Sequence, residues 1–287
     1  MKPILIIFCS IVCSLVLGQK HKTDWEKYEM KDKVKNVYEV SFVNSDTLDA
    51  NVKLHETYSF NSAGYLEEKT LYGKWFRGSM WRYNYSSPGI ILYRISCSKY
   101  DSSGFISGLR LDDSTFYKYL SKEQMLEMDS YNKQGSLISK EFHYYDNKGN
   151  ETHEVNQNDK GVAERSVKYT YDSAGNQIER IPEGQCKGCP PQSTRDSSVY
   201  DKNGRVITTF QFKSKWDTKY FLKLVYTYDD KGNMATWTTI RYSGEKKSVA
   251  KLNYEYTYDS YGNWLERKTY QQDTPEGVIK RTIEYYK

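Results

Sequence analysis

The amino-acid sequence predicts an all-β chain, an antiparallel array of β-hairpin repeats laid out as a meander, a coiled sheet or a half-pipe. Three observations predict it. A phrase recurs at Tyr256-Thr257-Tyr258-Asp259-Ser260-Tyr261-Gly262-Asn263, at Tyr169-Thr170-Tyr171-Asp172-Ser173-Ala174-Gly175-Asn176 and at Tyr226-Thr227-Tyr228-Asp229-Asp230-Lys231-Gly232-Asn233. With looser copies at Tyr145-Asp146 and Tyr200-Asp201, the tyrosine before each aspartate falls at Tyr145, Tyr171, Tyr200, Tyr228 and Tyr258, every 26 to 30 residues, and a period of that size marks a repeat architecture. Second, the stretch before each aspartate alternates: Ala250, Leu252, Tyr254, Tyr256 and Tyr258 are apolar or aromatic, whereas Lys251, Asn253, Glu255 and Thr257 are polar. Period two is the signature of a half-buried strand. Third, only 38% of residues are hydrophobic while 28 are tyrosine, so aromatic faces with a polar tip must supply much of the burial.

The turns follow from the phrase itself. Aspartate suits the first position of a type I turn because its carboxylate accepts nearby backbone N–H bonds. Glycine suits the left-handed position that ends such a turn in a G1 bulge. Asp146/Gly149, Asp172/Gly175, Asp201/Gly204, Asp229/Gly232 and Asp259/Gly262 are therefore expected as structural turns. Strands lie about 4.8 Å apart, so turn aspartates two strands apart recur at roughly 9–10 Å. That is too far for neighbours to share a Ca²⁺ bound at about 2.3–2.6 Å, and no metal or other cofactor is expected. A second set of turns, at Gly135 and Gly161, alternates with these.

In chain order, residues 1–18 read as a signal peptide: Lys2, then an apolar run from Ile4 to Leu17, with Val16 and Gly18 as small residues before the cut. The run is short for a membrane span, and no transmembrane span is expected after its removal. Residues 19–33 are charged, with Trp25, Tyr28 and Met30 spaced for a short helical cap or linker. Residues 34–130 carry degenerate hairpin repeats. There Val34, Tyr38, Val40 and Phe42 share one parity, and the aromatic stretch Gly73 to Tyr93 departs from the period and is expected to cover one end. Ser121 to Met128 fits either a helical turn or a strand. Residues 131–287 hold the regular repeats.

The Tyr-x-Tyr-Asp-x-x-Gly-Asn phrase at this period resembles the rearrangement-hotspot (RHS) or YD-repeat family, and more narrowly the small secreted YD-repeat proteins of Bacteroidetes. The resemblance implies coiled antiparallel hairpins, export to the envelope or cell surface, and carbohydrate or protein contact. It carries over no functional residues, because the phrase is structural. Large members enclose a C-terminal toxin in a shell. This chain is too short for one and ends in a strand at Tyr285-Tyr286-Lys287, so the remaining link is that of a remnant or partner of a toxin-delivery system.

Candidate chemistry is sparse. Cys186-x-x-Cys189, followed by Pro190 and Pro191, reads first as a disulfide bracing a long return loop in an exported protein, and second as an envelope thiol–disulfide pair. Cys97 shares parity with Ile91, Tyr93 and Ile95, as a buried thiol would. His143 and His153 flank Gly149 almost symmetrically and are placed to face each other across the hairpin, where Glu141 or Glu151 could join them on a metal, although a plain cross-strand surface pair is the far commoner reading. Adjacent carboxylates such as Glu67-Glu68 and Asp112-Asp113 point to opposite faces of a strand and cannot flank one bond. No catalytic residue is identified, and the chain is expected not to be an enzyme. Tyr169, Tyr171, Tyr226, Tyr228, Tyr254, Tyr256 and Tyr258 form candidate aromatic stripes, either core or a platform for a glycan or an envelope protein. The net charge of +5, spread along the chain, predicts no nucleic-acid partner.

Overall fold

A computed structural model describes residues 23–28, 30–43, 52–73, 76–87, 90–99, 109–120, 125–183 and 195–287. One short helix, α1 (Asp24–Lys27), precedes eighteen strands. They are β1 (Val34–Val43), β2 (Val52–Phe60), β3 (Leu66–Gly73), β4 (Phe76–Ser87), β5 (Ile90–Lys99), β6 (Leu109–Leu120), β7 (Met125–Asn132), β8 (Leu137–Tyr145) and β9 (Glu151–Asn158). There follow β10 (Ala163–Tyr171), β11 (Gln177–Glu183), β12 (Arg195–Tyr200), β13 (Val206–Phe212), β14 (Leu222–Tyr228), β15 (Met234–Ser243), β16 (Lys246–Tyr258), β17 (Trp264–Gln271) and β18 (Thr274–Tyr285). Each strand pairs antiparallel with the next, and β18 pairs back onto β1 from Val34↔Tyr285 to Val43↔Gly277. The meander thus closes into an 18-stranded barrel. The sequence left the curvature of the array open, and the barrel is a more specific outcome than the expected meander, coiled sheet or half-pipe. Among the described residues closure gives every strand a neighbour on both sides, where a long open meander would have left two free edges.

The recurring phrase makes the expected turn. At Asp172 the N–H of Gly175 donates to the aspartate carbonyl (3.1 Å), while Oδ1 accepts from the N–H groups of Ala174 and Asn176, both at 2.9 Å. Gly175 sits at φ +84°, and the register shifts by one residue between Thr170 and Tyr171, as a G1 bulge requires. Asp146, Asp201, Asp229 and Asp259 repeat the pattern, each accepting from the residues two and four positions on. Gly149, Gly204, Gly232 and Gly262 close those turns, each donating its N–H to the carbonyl of the aspartate three residues before it.

The Asp201/Gly204 turn departs from the full phrase at its fifth residue. Arg205 stands where the other copies have asparagine, and its guanidinium, instead of an amide, reaches Asp201 Oδ2 (Nε at 2.8 Å). Gly204 itself is exposed to solvent, as Gly175 is, whereas Gly149, Gly232 and Gly262 are partly covered. Gly204 serves the turn through its left-handed backbone, at φ +76°, and a Cβ there would stand 3.4 Å from Asn176 Oδ1 of the neighbouring turn. Asn61, Asn132 and Asn158 replace the aspartate in other turns and accept the same two N–H bonds, so an Asx acceptor rather than a carboxylate charge is what the geometry needs. Because the strands alternate in direction, the Asp turns and Gly64 lie at one end of the barrel, and Gly135 and Gly161 at the other.

Direct cross-strand partners share a face, so rows can be traced round the wall. One row runs Val37–Tyr58–Lys69–Trp81–Ser96–Asp113, another Tyr226–Trp237–Leu252, and a third Tyr119–Leu126–His143–Glu154–Val167. In a closed ring, side chains converge on the concave side and diverge on the convex side. Burial raises the hydroxyl pKa of Tyr117, Tyr145, Tyr169, Tyr226, Tyr254 and Tyr256, all on these rows or in parity with them. This face is the inner wall. The opposite parity carries ion pairs such as Arg82–Glu68 (2.7 Å), Lys168–Glu183 (3.0 Å) and the linked set Lys118, Glu127, Asp129 and Lys140.

The main core occupies one end, at the seam. Val34, Val37, Tyr58, Phe60, Leu66 and Met30 are buried together, with Trp25 and Tyr28 packed on them. The helix is held by its own capping box between Thr23 and Glu26 and stitches across the closure. Trp25 donates its Nε1–H to the Val34 carbonyl (2.7 Å), and Asp24 accepts from the Leu66 N–H (2.8 Å). Lys31 and Asn263 exchange two hydrogen bonds, at 2.7 and 2.8 Å. Gly64, at φ +88°, leaves room for the Trp25 ring: a Cβ there would stand 2.5 Å from it.

Two finer expectations are corrected, and one open alternative is resolved. A bulge between Val34 and Asn36 switches the parity of β1, so the buried residues are Val34 and Val37, and Tyr38, Val40 and Phe42 face outward. The aromatic stretch from Gly73 onward supplies β4 and β5, ordinary members of the ring; the end is covered by α1. Of the ambiguous segment, Met125 onward is strand β7.

Candidate functional site

The aromatic stripes lie on the inner wall. Tyr254, Tyr256 and Tyr258 of β16 stand opposite Thr269, Arg267 and Trp264 of β17, and Tyr226 of β14 stands opposite Trp237 of β15, with ring centroids 6.3 Å apart. Tyr169 and Tyr171 of β10 stand opposite Arg180 and Gln177 of β11. Tyr169, Tyr171, Tyr226, Tyr254, Tyr256 and Tyr258 are half-buried, neither a packed core nor an outward platform. The hydroxyls at the turn end have structural partners: Tyr258 donates to Asp229 (2.6 Å), Tyr228 to the Val206 carbonyl (2.7 Å) and Tyr200 to the Gln177 carbonyl (2.6 Å). Each locks one turn to the hairpin before it. Tyr258 and Tyr228 are thus bracing residues, whereas Tyr226 and Tyr254 present their rings to the lumen.

Among the described residues, substantial strand contacts run between ring neighbours. A circular ring of eighteen strands, spaced 4.8 Å and tilted about 40°, would be about 36 Å across between backbones, wider than two opposing layers of side chains would fill. The wall there mixes aromatic rings with ionic groups. The Arg267 guanidinium lies 5.6 Å from the ring centroids of both Tyr254 and Trp264, and Arg281 lies 3.3 Å over Trp264 while pairing with Glu39 at 2.6 Å. Two donors of this patch, Trp237 Nε1 and Arg267 Nε, are buried with no hydrogen-bond partner.

A second inward cluster sits on β8 and β9. His143 Nδ1 lies 2.7 Å from Glu151 Oε1, and His143 Nε2 lies 3.6 Å from Glu141. Glu154 stands directly opposite His143 and accepts from the Tyr169 hydroxyl at 2.9 Å. Burial opposes charge on His143, but the Glu151 hydrogen bond and the surrounding carboxylates outweigh it and hold the imidazole above its ordinary value. The two histidines do not face each other as a symmetric hairpin would have them. The bulge between Tyr144 and Tyr145 offsets the register, so His153 stacks on Tyr144 on the outer face, with centroids 4.1 Å apart. Sequence reasoning missed Glu154 because its link to His143 passes through that bulge.

Cys186 and Cys189 lie outside the described residues. Cys97 is a buried free thiol on the outer face opposite Met80, its pKa raised by burial.

These features define the class: a closed, antiparallel β-hairpin barrel with a tyrosine-rich lumen, capped at one end by its N-terminal segment. No family model matches the chain, and no curated protein matches it. Among solved structures it is similar to a porin-like protein from Bacteroides uniformis at 14% identity and a TM-score of 0.45, covering 88% of this chain and 99% of that one. It is also similar to a chain of the Photorhabdus luminescens Tc holotoxin pore at 13% identity and a TM-score of 0.27, over 85% of this chain and 14% of that one. A protein of unknown function from Bacteroides fragilis aligns with half of the chain at 14% identity and a TM-score of 0.21.

Proposed function

We propose that this chain is an exported, non-enzymatic binding protein of the cell envelope or extracellular space, and that it holds an oligosaccharide against the inner wall of its barrel. The observation that carries this reading is the patch of Tyr226, Trp237, Tyr254 and Arg267, where aromatic faces adjoin buried donors, Trp237 Nε1 and Arg267 Nε, that no described residue satisfies. Sugars offer what such a patch lacks: apolar C–H faces for the rings and a high density of acceptors for the N–H groups. The expected platform is retained, moved from an outer sheet surface to the lumen.

A water-exposed barrel fits the outer wall. A lipid-facing barrel carries an apolar outer band about 25 Å tall, and lysine at mid-membrane depth costs about 2–4 kcal/mol. Here Lys118, Lys140, Lys268 and Lys280 are on the outer face beside Glu127, Asp129 and Glu266.

The test is a glycan array with the protein lacking residues 1–18, followed by calorimetry on any hit. Trp237→Ala and Arg267→Ala are expected to weaken binding at least tenfold, and the outward Tyr270→Ala to leave it unchanged. Silence across the array, or equal binding by all three variants, would overturn the lumenal glycan reading.

A further inference from the structure

The β8–β9 hairpin carries a donor set that the glycan reading does not use. Glu141, His143 and Glu154 each offer one ligand atom, and these atoms lie within 4.8 Å of one another on the inner wall. The register explains the grouping: His143 and Glu154 are direct cross-strand partners, and Glu141 precedes His143 by two residues on the same face. The imidazole lies between two carboxylates, and its two nitrogens differ. One ring nitrogen is engaged, Nδ1 with Glu151 at 2.7 Å. The other, Nε2, is buried without a hydrogen-bond partner and is the nitrogen near Glu141, at 3.6 Å. An orphaned polar atom in a buried setting is costly unless something meets it.

From this geometry we infer a binding site for a divalent transition-metal cation of the zinc type, ligated by His143 Nε2, Glu141 and Glu154, with Glu151 as the carboxylate that orients the imidazole. Each role follows from the chemistry. Imidazole with two carboxylates suits Zn²⁺, Mn²⁺ or Fe²⁺ better than Ca²⁺, which takes oxygen ligands alone. A carboxylate on the far ring nitrogen is the usual partner of a metal-bound histidine; it selects the tautomer whose Nε2 lone pair is free. Tetrahedral bonds of about 2.0–2.2 Å place ligand atoms about 3.3 Å apart, so the side chains need only a modest closure onto the ion. The Tyr169 hydroxyl already donates to Glu154 Oε2, at 2.9 Å, and fixes that carboxylate. Three protein ligands leave a further coordination position. The inference stands whether or not the lumen takes a glycan.

The test is isothermal titration of the metal-stripped protein, lacking residues 1–18 and any affinity tag, with zinc chloride. Cys97, Cys186 and Cys189 are replaced by serine so that thiols take no metal. One equivalent is expected to bind. Glu151→Gln, which keeps all three ligands, is expected to weaken binding 10–100-fold, and His143→Gln and Glu154→Gln to weaken it more. Should His143→Gln fail to fold, Glu151→Gln and Glu154→Gln, which keep the imidazole, carry the test. Zinc binding unchanged in those variants would overturn the proposal. So would no binding by the parent protein together with imidazole nitrogen resonances of a doubly protonated ring at neutral pH, the sign that His143 serves as a cation among carboxylates.

Discussion

The seam and the long arc opposite it are built from the same hairpin, yet they are held together differently. At the seam, where β18 meets β1 and β1 meets β2, the inner wall is packed: Val34 and Val37 are fully buried, Phe60 is 1% exposed, and α1 lies over them. Along β10 to β17 the inner wall is lined but not filled; Val167 and Leu222 are buried there, while the tyrosines and tryptophans remain half-exposed. The seam joins strands more than 200 residues apart in sequence, and that closure carries the largest loop entropy of any pairing in the chain. A packed plug offsets that entropy. The arc consists of local hairpins whose turn-to-turn hydrogen bonds suffice, which frees its inner face for a ligand. The lesson is that the repeat supplies the wall and a non-repeated segment closes it.

The sharpest way to break this comparison is to remove a ring from each region. Phe60→Ala should cost about 3–5 kcal/mol, as large core truncations do. Tyr254→Ala, on the open arc, should cost about 1 kcal/mol or less. Urea titration measures both, and equal costs would mean that the arc is packed as tightly as the seam. Next in size is a glycine pair with nearly the same backbone. Gly64 (φ +88°) abuts Trp25, whereas a Cβ at Gly135 (φ +79°) would meet nothing within 4 Å. Gly135→Ala should cost about 1–2 kcal/mol from left-handed strain alone. Gly64→Ala should cost clearly more, with loss of the Trp25 fluorescence environment. Smaller again is Asp229→Ala. It removes the acceptor of the Lys231 and Asn233 N–H groups and of the Tyr258 hydroxyl, and should cost about 1–2 kcal/mol.

Acid and alkali separate the two kinds of bond. Hydrogen bonds from the Asn176 side chain and backbone hold Asp172 below its ordinary pKa, and the Arg205 N–H and guanidinium do the same for Asp201. A depressed carboxylate stabilises the fold above its unfolded pKa of about 3.9, and that stability is lost as pH falls through the folded value. The turns should therefore loosen first below about pH 4. Burial pushes Tyr28, at the seam, and Tyr171, on the arc, up to about 12. A raised tyrosine stabilises the fold fully below its unfolded pKa of about 10, and that contribution is lost as pH rises from there through the folded value. Thermal melts from pH 3 to 11 should show a plateau between these limits. A melting temperature that keeps rising above pH 10 would contradict the buried state of these hydroxyls.

Much of the wall was legible in the residues because its determinants are local. Asp172-Ser173-Ala174-Gly175-Asn176 contains every acceptor, donor and left-handed position of its own turn, and the alternation from Ala250 to Tyr258 sets one face of β16 without reference to anything distant. Even the loose copy at Asp201 to Arg205 turns as the full phrase does, because Asp201 and Gly204 carry the turn and the fifth residue closes it through its backbone N–H and carbonyl, which any residue has, with the Arg205 guanidinium added to them. Where a determinant was a bulge, reading by parity failed. The irregularity at Val34/Asn36 turned Tyr38 and Phe42 outward, and the one at Tyr144/Tyr145 turned His153 away from His143 and brought Glu154 to it. The first has no residue signature; the second is the G1 bulge of the Asp146/Gly149 turn, whose one-residue offset the symmetric pairing of the histidines left out.

The sequence by itself determined the hairpins, their turns and the alternation of the strands, since those depend on contacts within about 30 residues. Only the tertiary structure decided that the array closes, that the tyrosine face is the inside of the closure, and that α1 plugs its seam. Closure depends on accumulated strand twist and stagger and on the meeting of Val34–Val43 with Thr274–Tyr285, quantities summed over the whole chain that no single repeat contains.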